Sequence, residues 1–414
     1  MQSAESGIAG TPPTGTRDAK RSRATLGACA GTHFLHDGFS DVIYLLLPLW
    51  QAEFALSLTQ VGIVKSAYSA AMAAGQIPAG LLAERLGERR LLALGTAVTG
   101  LGFIGLGFVG GMASLVAMLA VAALGSSVQH PLSATLVSKA YEGRGQRAAL
   151  GIYNFSGDVG KAAVPALAAL VVTALGWRWA AGGYGAIGVA AAVLILVLLV
   201  MLDAGAAPAR RLAKASLRFW RGGWGIRHAR GFGYLSAIEI IDGASRPGFL
   251  TFLPFLLIAK GAEVEGIGLA LALTFIGGAV GKFLCGVLAE RIGIILTVVL
   301  TEALTAAGIV VLLYLPLWPA MALLPAIGVM LNGTSSVLYG SIAEFVAPES
   351  RARAFGLFYT LGIGAGAVSP WLFGALSDAA SLEVALLTLA GVILTTLPLA
   401  GLLRRPLAEV GQVA

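Results

Sequence analysis

From residue 26 to residue 403 the chain runs in long apolar stretches separated by short polar breaks. A helix needs about 20 predominantly apolar residues to cross a bilayer core. Windows of that length lie near 26–50, 58–83, 91–110, 113–137, 149–175, 178–202, 231–258, 264–289, 295–314, 317–346, 354–376 and 382–403. The pattern predicts an all-α integral membrane protein with twelve transmembrane helices.

Several windows are interrupted by charge. Asp37, Asp41, Lys65, Asp158, Lys161, Glu239, Asp242, Arg246, Lys282 and Glu302 all fall inside them. An ionisable group at the bilayer centre costs at least about 2.5–3.5 kcal/mol on insertion scales, so each position is a candidate functional site. Snorkelling or a structural ion pair is the alternative for each, and Asp158 with Lys161, one turn apart, suits such a pair.

Helical spacing sorts these residues. In the first window His33, Asp37 and Asp41 recur every four residues and share one face, with His36, Ser40 and Tyr44 at its edge. In the seventh, Glu239, Asp242 and Arg246 follow at spacings of three and four. At 1.5 Å of rise per residue Asp37 and Asp242 lie roughly 16 Å into their spans and Lys161 roughly 18 Å, near the midplane. Lys65 and Lys282 lie roughly 10 Å from the nearer ends, within the reach of a snorkelling lysine.

The two stripes belong to two halves. GLLAERLG at 80–87 returns as GVLAERIG at 286–293, and Asp37-Gly38, Pro48, Gly151 and Pro165 return as Asp242-Gly243, Pro254, Gly356 and Pro370. A nearly constant offset argues for duplication into six-helix bundles at 26–202 and 231–403. Between them lies a basic linker, 203–230, which with Phe219, Trp220 and Trp224 suits an interfacial helix on an anionic leaflet. Parallel repeats of six spans are an architecture of secondary transporters, with the site between the halves at mid-membrane. The 56 glycines allow close helix approach.

Composition adds the orientation. The net charge of +7 in a chain only 12% charged is a topology signal rather than a nucleic-acid footprint. Of 28 Lys and Arg, Lys65, Lys161, Arg246 and Lys282 lie inside windows, Arg178 and Lys260 lie on one side, and the remaining 22 on the other. The positive-inside rule then places both termini, the tail 1–25 and the tail 404–414, in the cytoplasm. The first tail is expected to be disordered. Cys29 and Cys285 read as reduced packing residues.

The stretch GLLAERLGERR, 80–90, resembles the loop between spans two and three of the major facilitator superfamily, with Glu84 in place of the usual Asp and Glu88 at a commonly basic position. That resemblance implies a cytoplasmic latch built from Gly80, Glu84, Arg85, Gly87, Arg89 and Arg90, partly repeated at Glu290 and Arg291. It also implies that spans one, four, seven and ten line a central cavity. His33, Asp37, Asp41, His130, Glu239, Asp242, Arg246, Asn332 and Tyr339 would then surround one aqueous space. The segments HFLHDGFSDVIYLLLPLW, GSSVQHPLSATLVSKAY and GIYNFSGDVGKAAVPALAAL more narrowly resemble the fosmidomycin-resistance group of bacterial efflux transporters. Asp158 and Lys161 stand where that group has small or neutral polar residues.

The expected function is proton-coupled export of a small toxic compound, anionic or polar, by a monomer in the bacterial inner membrane. Asp37, Asp242 and Asp41 are the candidate proton carriers. His33, His36, His130, Asp158, Lys161, Glu239, Arg246, Asn332 and Tyr339 are the candidate cargo contacts. No cofactor, metal or nucleic acid is expected, and the partners are cargo, protons and lipid. Proton-coupled import is the alternative within transport. An intramembrane enzyme using His36, Asp37 and His130 is the alternative outside it, although catalysis needs no duplicated latch.

Overall fold

The structure is a computed structural model that describes residues 16–142, 145–206, 224–347 and 351–411. The helices are α1 (Thr16–Phe54), α2 (Leu58–Leu86), α3 (Glu88–Leu106), α4 (Met112–Ser126), α5 (Gln129–Ala140), α6 (Gln146–Leu175) and α7 (Trp177–Met201). They continue as α8 (Ala229–Ala259), α9 (Val264–Ile292), α10 (Ile294–Tyr314), α11 (Leu317–Phe345), α12 (Arg351–Ala379), α13 (Leu382–Leu394), α14 (Thr396–Leu402) and α15 (Arg404–Glu409). Among the described residues nine segments are long and apolar enough to cross a membrane, with α4–α5 and α13–α15 each counted as one. The predicted spans outside this set are α1, α2 and α8. In α1 and α8, which carry Asp37 and Asp41, and Glu239, Asp242 and Arg246, the shortfall in hydropathy reflects the polar stripes themselves, and α2 is rich in small and neutral polar residues.

The repeat is visible in the backbone. Helices α2 and α9 both have 29 residues and begin and end 206 positions apart. Each is followed by a glycine, Gly87 (φ 81°) or Gly293 (φ 84°), before the next helix starts. A residue with a Cβ is strained at such φ values, so both glycines fix the sharp joint that turns the chain back.

Large apolar side chains cover the outside, including Phe108, Trp179, Met201, Phe283 and Trp318. In water such a surface would aggregate, whereas a helix bundle facing lipid needs it. Helices α1 and α8 sit inside instead, and Phe39, Ile43, Leu45, Trp50, Phe249, Phe252 and Leu253 among their residues are fully buried.

The halves meet closely at one end. Backbone N–H groups of Leu58 and Thr59, at the start of α2, donate to the two carboxylate oxygens of Asp378 on α12 at 3.0 and 2.7 Å. A Cβ on Gly62 would lie 2.2 Å from the Pro370 carbonyl oxygen, so glycine is what permits the α2–α12 approach. Near the other end the same helices part: a Cβ on Gly80 or Gly356, or on Gly151 and Gly286 of α6 and α9, would meet nothing within 4 Å. The cavity between the halves is therefore closed toward Asp378 and opens toward GLLAERLGERR.

The N-terminal boundary differs from expectation. Helix α1 begins at Thr16 rather than near 26, and residues 16–25 are ordered as its extension. Ser22 donates to the Ala140 carbonyl at 2.8 Å and Arg21 pairs with Asp203 at 3.2 Å, which ties the extension to the ends of α5 and α7. Residues 1–15 and the interfacial helix expected at 207–223, with Arg210, Arg211, Lys214, Arg218 and Arg221, lie outside the described residues.

Candidate substrate cavity

A cavity of about 400 Å³ lies between the halves. Helix α1 contributes Asp37, Ser40, Asp41 and Tyr44; α2 contributes Lys65, Tyr68, Ser69 and Met72; α5 contributes His130 and α6 Lys161. From the other half come Glu239, Asp242, Gly243, Arg246 and Pro247 of α8, Lys282 of α9, Ser335, Ser336 and Tyr339 of α11, and Tyr359, Gly362, Ile363 and Gly366 of α12. Its volume lies in the range of small-molecule sites, and four cationic side chains reach it.

Asp37 is the most heavily contacted acid. Its Oδ2 lies 3.2 Å from His33 Nε2 and 3.2 Å from Lys161 Nζ, and its Oδ1 lies 3.6 Å from His130 Nε2. His33 is fixed behind it, Nδ1 lying 2.8 Å from the Tyr153 carbonyl oxygen and the ring stacked on that of Tyr153 at 4.2 Å. A carbonyl only accepts, so Nδ1 carries a hydrogen and Nε2 is left facing Asp37. Gly157 makes room for the cluster: a Cβ there would stand 2.5 Å from Asp37 Oδ2 and 2.6 Å from His33 Nε2.

The network continues across the cavity. Lys161 also lies 3.7 Å from Asp158 Oδ1, to which Lys282 of the opposite half donates at 2.5 Å. A chain of alternating charge, Asp37–Lys161–Asp158–Lys282, thus links the repeats. Donor atoms of His33, Asp37 and His130 lie within 4.8 Å of one another, close enough to hold a metal ion. The cation facing Asp37 Oδ2 here is the Lys161 ammonium.

The corresponding stripe on α8 is built differently. Arg246 Nη2 lies 3.7 Å from Asp242 and donates to Ser335 Oγ at 2.9 Å, while its Nε has no partner among the described residues. Tyr339 donates to Glu239 Oε1 at 3.3 Å, and Glu239 Oε2 is likewise without a partner. Buried Glu302 of α10 places a second carboxyl group beside Asp242.

Not every predicted contact reaches the cavity. Both ring nitrogens of buried His36 are engaged, Nδ1 with Ser126 Oγ at 2.8 Å and Nε2 with Thr96 Oγ1 at 2.9 Å, so the ring belongs to the α3–α4 interface. Asn332 donates to the Gly328 carbonyl at 3.2 Å and packs on α9, where a Cβ on Gly278 would touch it at 2.6 Å. His33 and Asp158 stand behind the wall as partners of Asp37, Lys161 and Lys282. Conversely, the wall includes α2, α6, α9 and α12 as well as the expected spans. Tyr68, Ser335, Ser336 and Tyr359 were missed, as neutral polar residues that raise no alarm in an apolar window.

The latch residues lie at the open end. Glu84, Arg85 and Arg90 are exposed, as are Glu290 and Arg291 of the second copy, and none has an ion-pair partner within 4.0 Å among the described residues. The buried acid of the motif is Glu88, which pairs with Lys139, and Arg89 lies 3.9 Å from Asp203.

The profile of the Major Facilitator Superfamily matches residues 29–259 and 235–413. The fosmidomycin resistance protein of Escherichia coli (strain K12) is 25% identical over 405 residues, covering 94% of this chain and 96% of that one. A probable sulfoacetate transporter of Cupriavidus necator is 27% identical over 406 residues, covering 89% and 90%. Among solved structures, a bacterial homologue of the human lysosomal transporter Spinster, inward-facing and unoccupied, superposes with a TM-score of 0.77 at 16% identity, covering 97% of this chain and 99% of that one.

Proposed function

The chain belongs to the Major Facilitator Superfamily, and from that premise we propose that it is a secondary active transporter that exports a small anionic solute by alternating access coupled to protons. The observation that carries this reading is the cavity itself. Lys65, Lys161, Arg246 and Lys282 converge on one cavity between the halves, and fixed cations there favour an anionic guest. Export is supported by the similarity to a protein named for fosmidomycin resistance, and an organic acid cargo by the similarity to one named for sulfoacetate.

Asp37, Asp242 and Asp41 are the proposed proton carriers. Asp37 holds the Lys161 ammonium at 3.2 Å, so adding a proton to it weakens that ion pair. Glu84 and Glu290 would form their latches only when the open end closes, which suits their exposure in this conformation. With the basic loops cytoplasmic, that conformation faces inward.

One observation favours a second reading, uptake by proton symport. The carboxylates that would take the proton are the ones that occupy the cavity cations, so a proton on Asp37 frees Lys161 for an anion. Proton and anion would then bind together and travel together. The enzyme alternative loses its geometry, because His36 is engaged outside the cavity.

The deciding experiment measures labelled sulfoacetate and fosmidomycin flux in everted vesicles with a pH gradient imposed in either direction. Antiport predicts uptake into everted vesicles with an acidic interior. Symport predicts efflux of preloaded cargo under that gradient, and no gradient-dependent flux of any anion tested would remove both.

A further inference from the structure

Lys65 is the cavity cation without an acid. Lys161 and Lys282 each lie within 4.0 Å of a carboxylate, as does Arg246. Lys65 has no such partner among the described residues, although it is only 4% exposed and forms part of the cavity wall. Its ammonium lies 3.5 Å from the Ser40 carbonyl oxygen, 4.3 Å from the centre of the Tyr44 ring and 5.3 Å from that of Tyr68.

The arrangement does not fit a snorkelling lysine. Such a side chain carries its charge to an aqueous end, yet the nearer end of α2 is sealed by α12, with Trp371 N donating to Ser66 Oγ at 3.2 Å. Nor is the charge well satisfied in place. Two ring faces and one carbonyl are neutral neighbours, and a buried cation without a counter-ion is strongly disfavoured unless an anion arrives. Asp41 faces the same space from α1 but stands beyond ion-pair distance of Lys65, and it makes no hydrogen bond or ion pair to any described residue.

We propose that Lys65, framed by Tyr44 and Tyr68, is the anchor for the anionic head of the cargo, a carboxylate, sulfonate or phosphonate. The inference rests on the reading of the protein as an anion transporter. Around the ammonium the wall offers hydroxyl groups from Tyr68, Ser40 and Ser69, with Ser40 Oγ and Tyr68 OH 3.0 Å apart. An oxoanion seated there would accept from the ammonium and a hydroxyl together, with Arg246, whose Nε is unpartnered, on the opposite half. Cargo bridging these two cations would touch both halves, which is what a cargo must do to drive their rocking.

The test uses purified full-length protein in proteoliposomes, with labelled sulfoacetate as probe. Lys65→Gln should raise KM at least tenfold while leaving the maximal rate within about threefold, and Lys65→Arg should recover most of the affinity. Folding is followed by size-exclusion chromatography and by the thermal transition of each variant. An unchanged KM in Lys65→Gln overturns the anchor while leaving the transport reading intact. Loss of transport in Lys65→Gln that Lys65→Gln/Asp41→Asn restores also overturns it, since Lys65 would then only neutralise Asp41. Wild-type protein that carries no anion would instead remove the underlying reading.

Discussion

The two polar stripes occupy corresponding places in the repeat and hold opposite surroundings. Asp37 has one ammonium and two imidazoles within 3.6 Å, and Lys161 extends its network to the other half. Asp242, its counterpart, has one guanidinium at 3.7 Å, the Glu302 carboxyl group beside it, and Glu239 on the same helix face. Duplication thus preserved the carboxylate and changed what surrounds it, with an ammonium and two imidazoles around Asp37 and two further acids beside Asp242. Two jobs separate naturally on this division. The first half holds its acid by ion pairing, and the second sets its acid beside other carboxyl groups.

Breaking the N-terminal network should have the largest effect. Lys161→Met leaves Asp37 and Asp158 without their shared ammonium, and breaking a buried ion pair by removing one partner costs roughly 3–5 kcal/mol. A large fall in thermal transition temperature and loss of transport are expected, with partial recovery in Lys161→Arg. Arg246→Gln on the other side should cost less, about 1–3 kcal/mol, because its 3.7 Å contact with Asp242 is longer than those that hold Asp37. If denaturation in detergent shows the two substitutions to be equally damaging, the contrast between the halves is wrong.

Smaller still is the expected effect of Glu302→Gln. The amide keeps the size of the side chain and removes one acid beside Asp242, so stability should change by less than about 1 kcal/mol while the pH dependence of transport shifts. A pH profile identical to wild type would take Glu302 out of the proposed proton coupling. The weakest effect belongs to the latches: Glu84→Gln and Glu290→Gln should leave stability within about 0.5 kcal/mol, since both acids are exposed and unpaired here. Their influence should appear instead in accessibility to a thiol reagent of single cysteines placed at Gly80 and Gly356, with less time spent closed at that end.

Much of this contrast was legible in the sequence. Spacing of three and four identified both stripes, and the 206-residue offset gave the helix boundaries of α2 and α9 almost exactly in register. Spacing fixes the face of one helix and leaves open what packs on it. His36 is about 60° around the helix from the His33 stripe, enough to carry it from the cavity to the α3–α4 interface. Asn332 and Tyr339 are two turns apart on one face, yet α9 covers only the former. The partners of Lys65 and Glu302 lie on other helices, and no single-helix pattern contains them.

The central claim is that Asp37 couples the proton to the cargo through Lys161. Its most direct test is sulfoacetate flux in proteoliposomes carrying wild-type, Asp37→Asn or Asp242→Asn protein, each measured with and without a pH gradient. The account predicts that Asp37→Asn still exchanges labelled for unlabelled sulfoacetate at equilibrium but no longer responds to the gradient. Gradient-driven accumulation by Asp37→Asn at the wild-type level would contradict it.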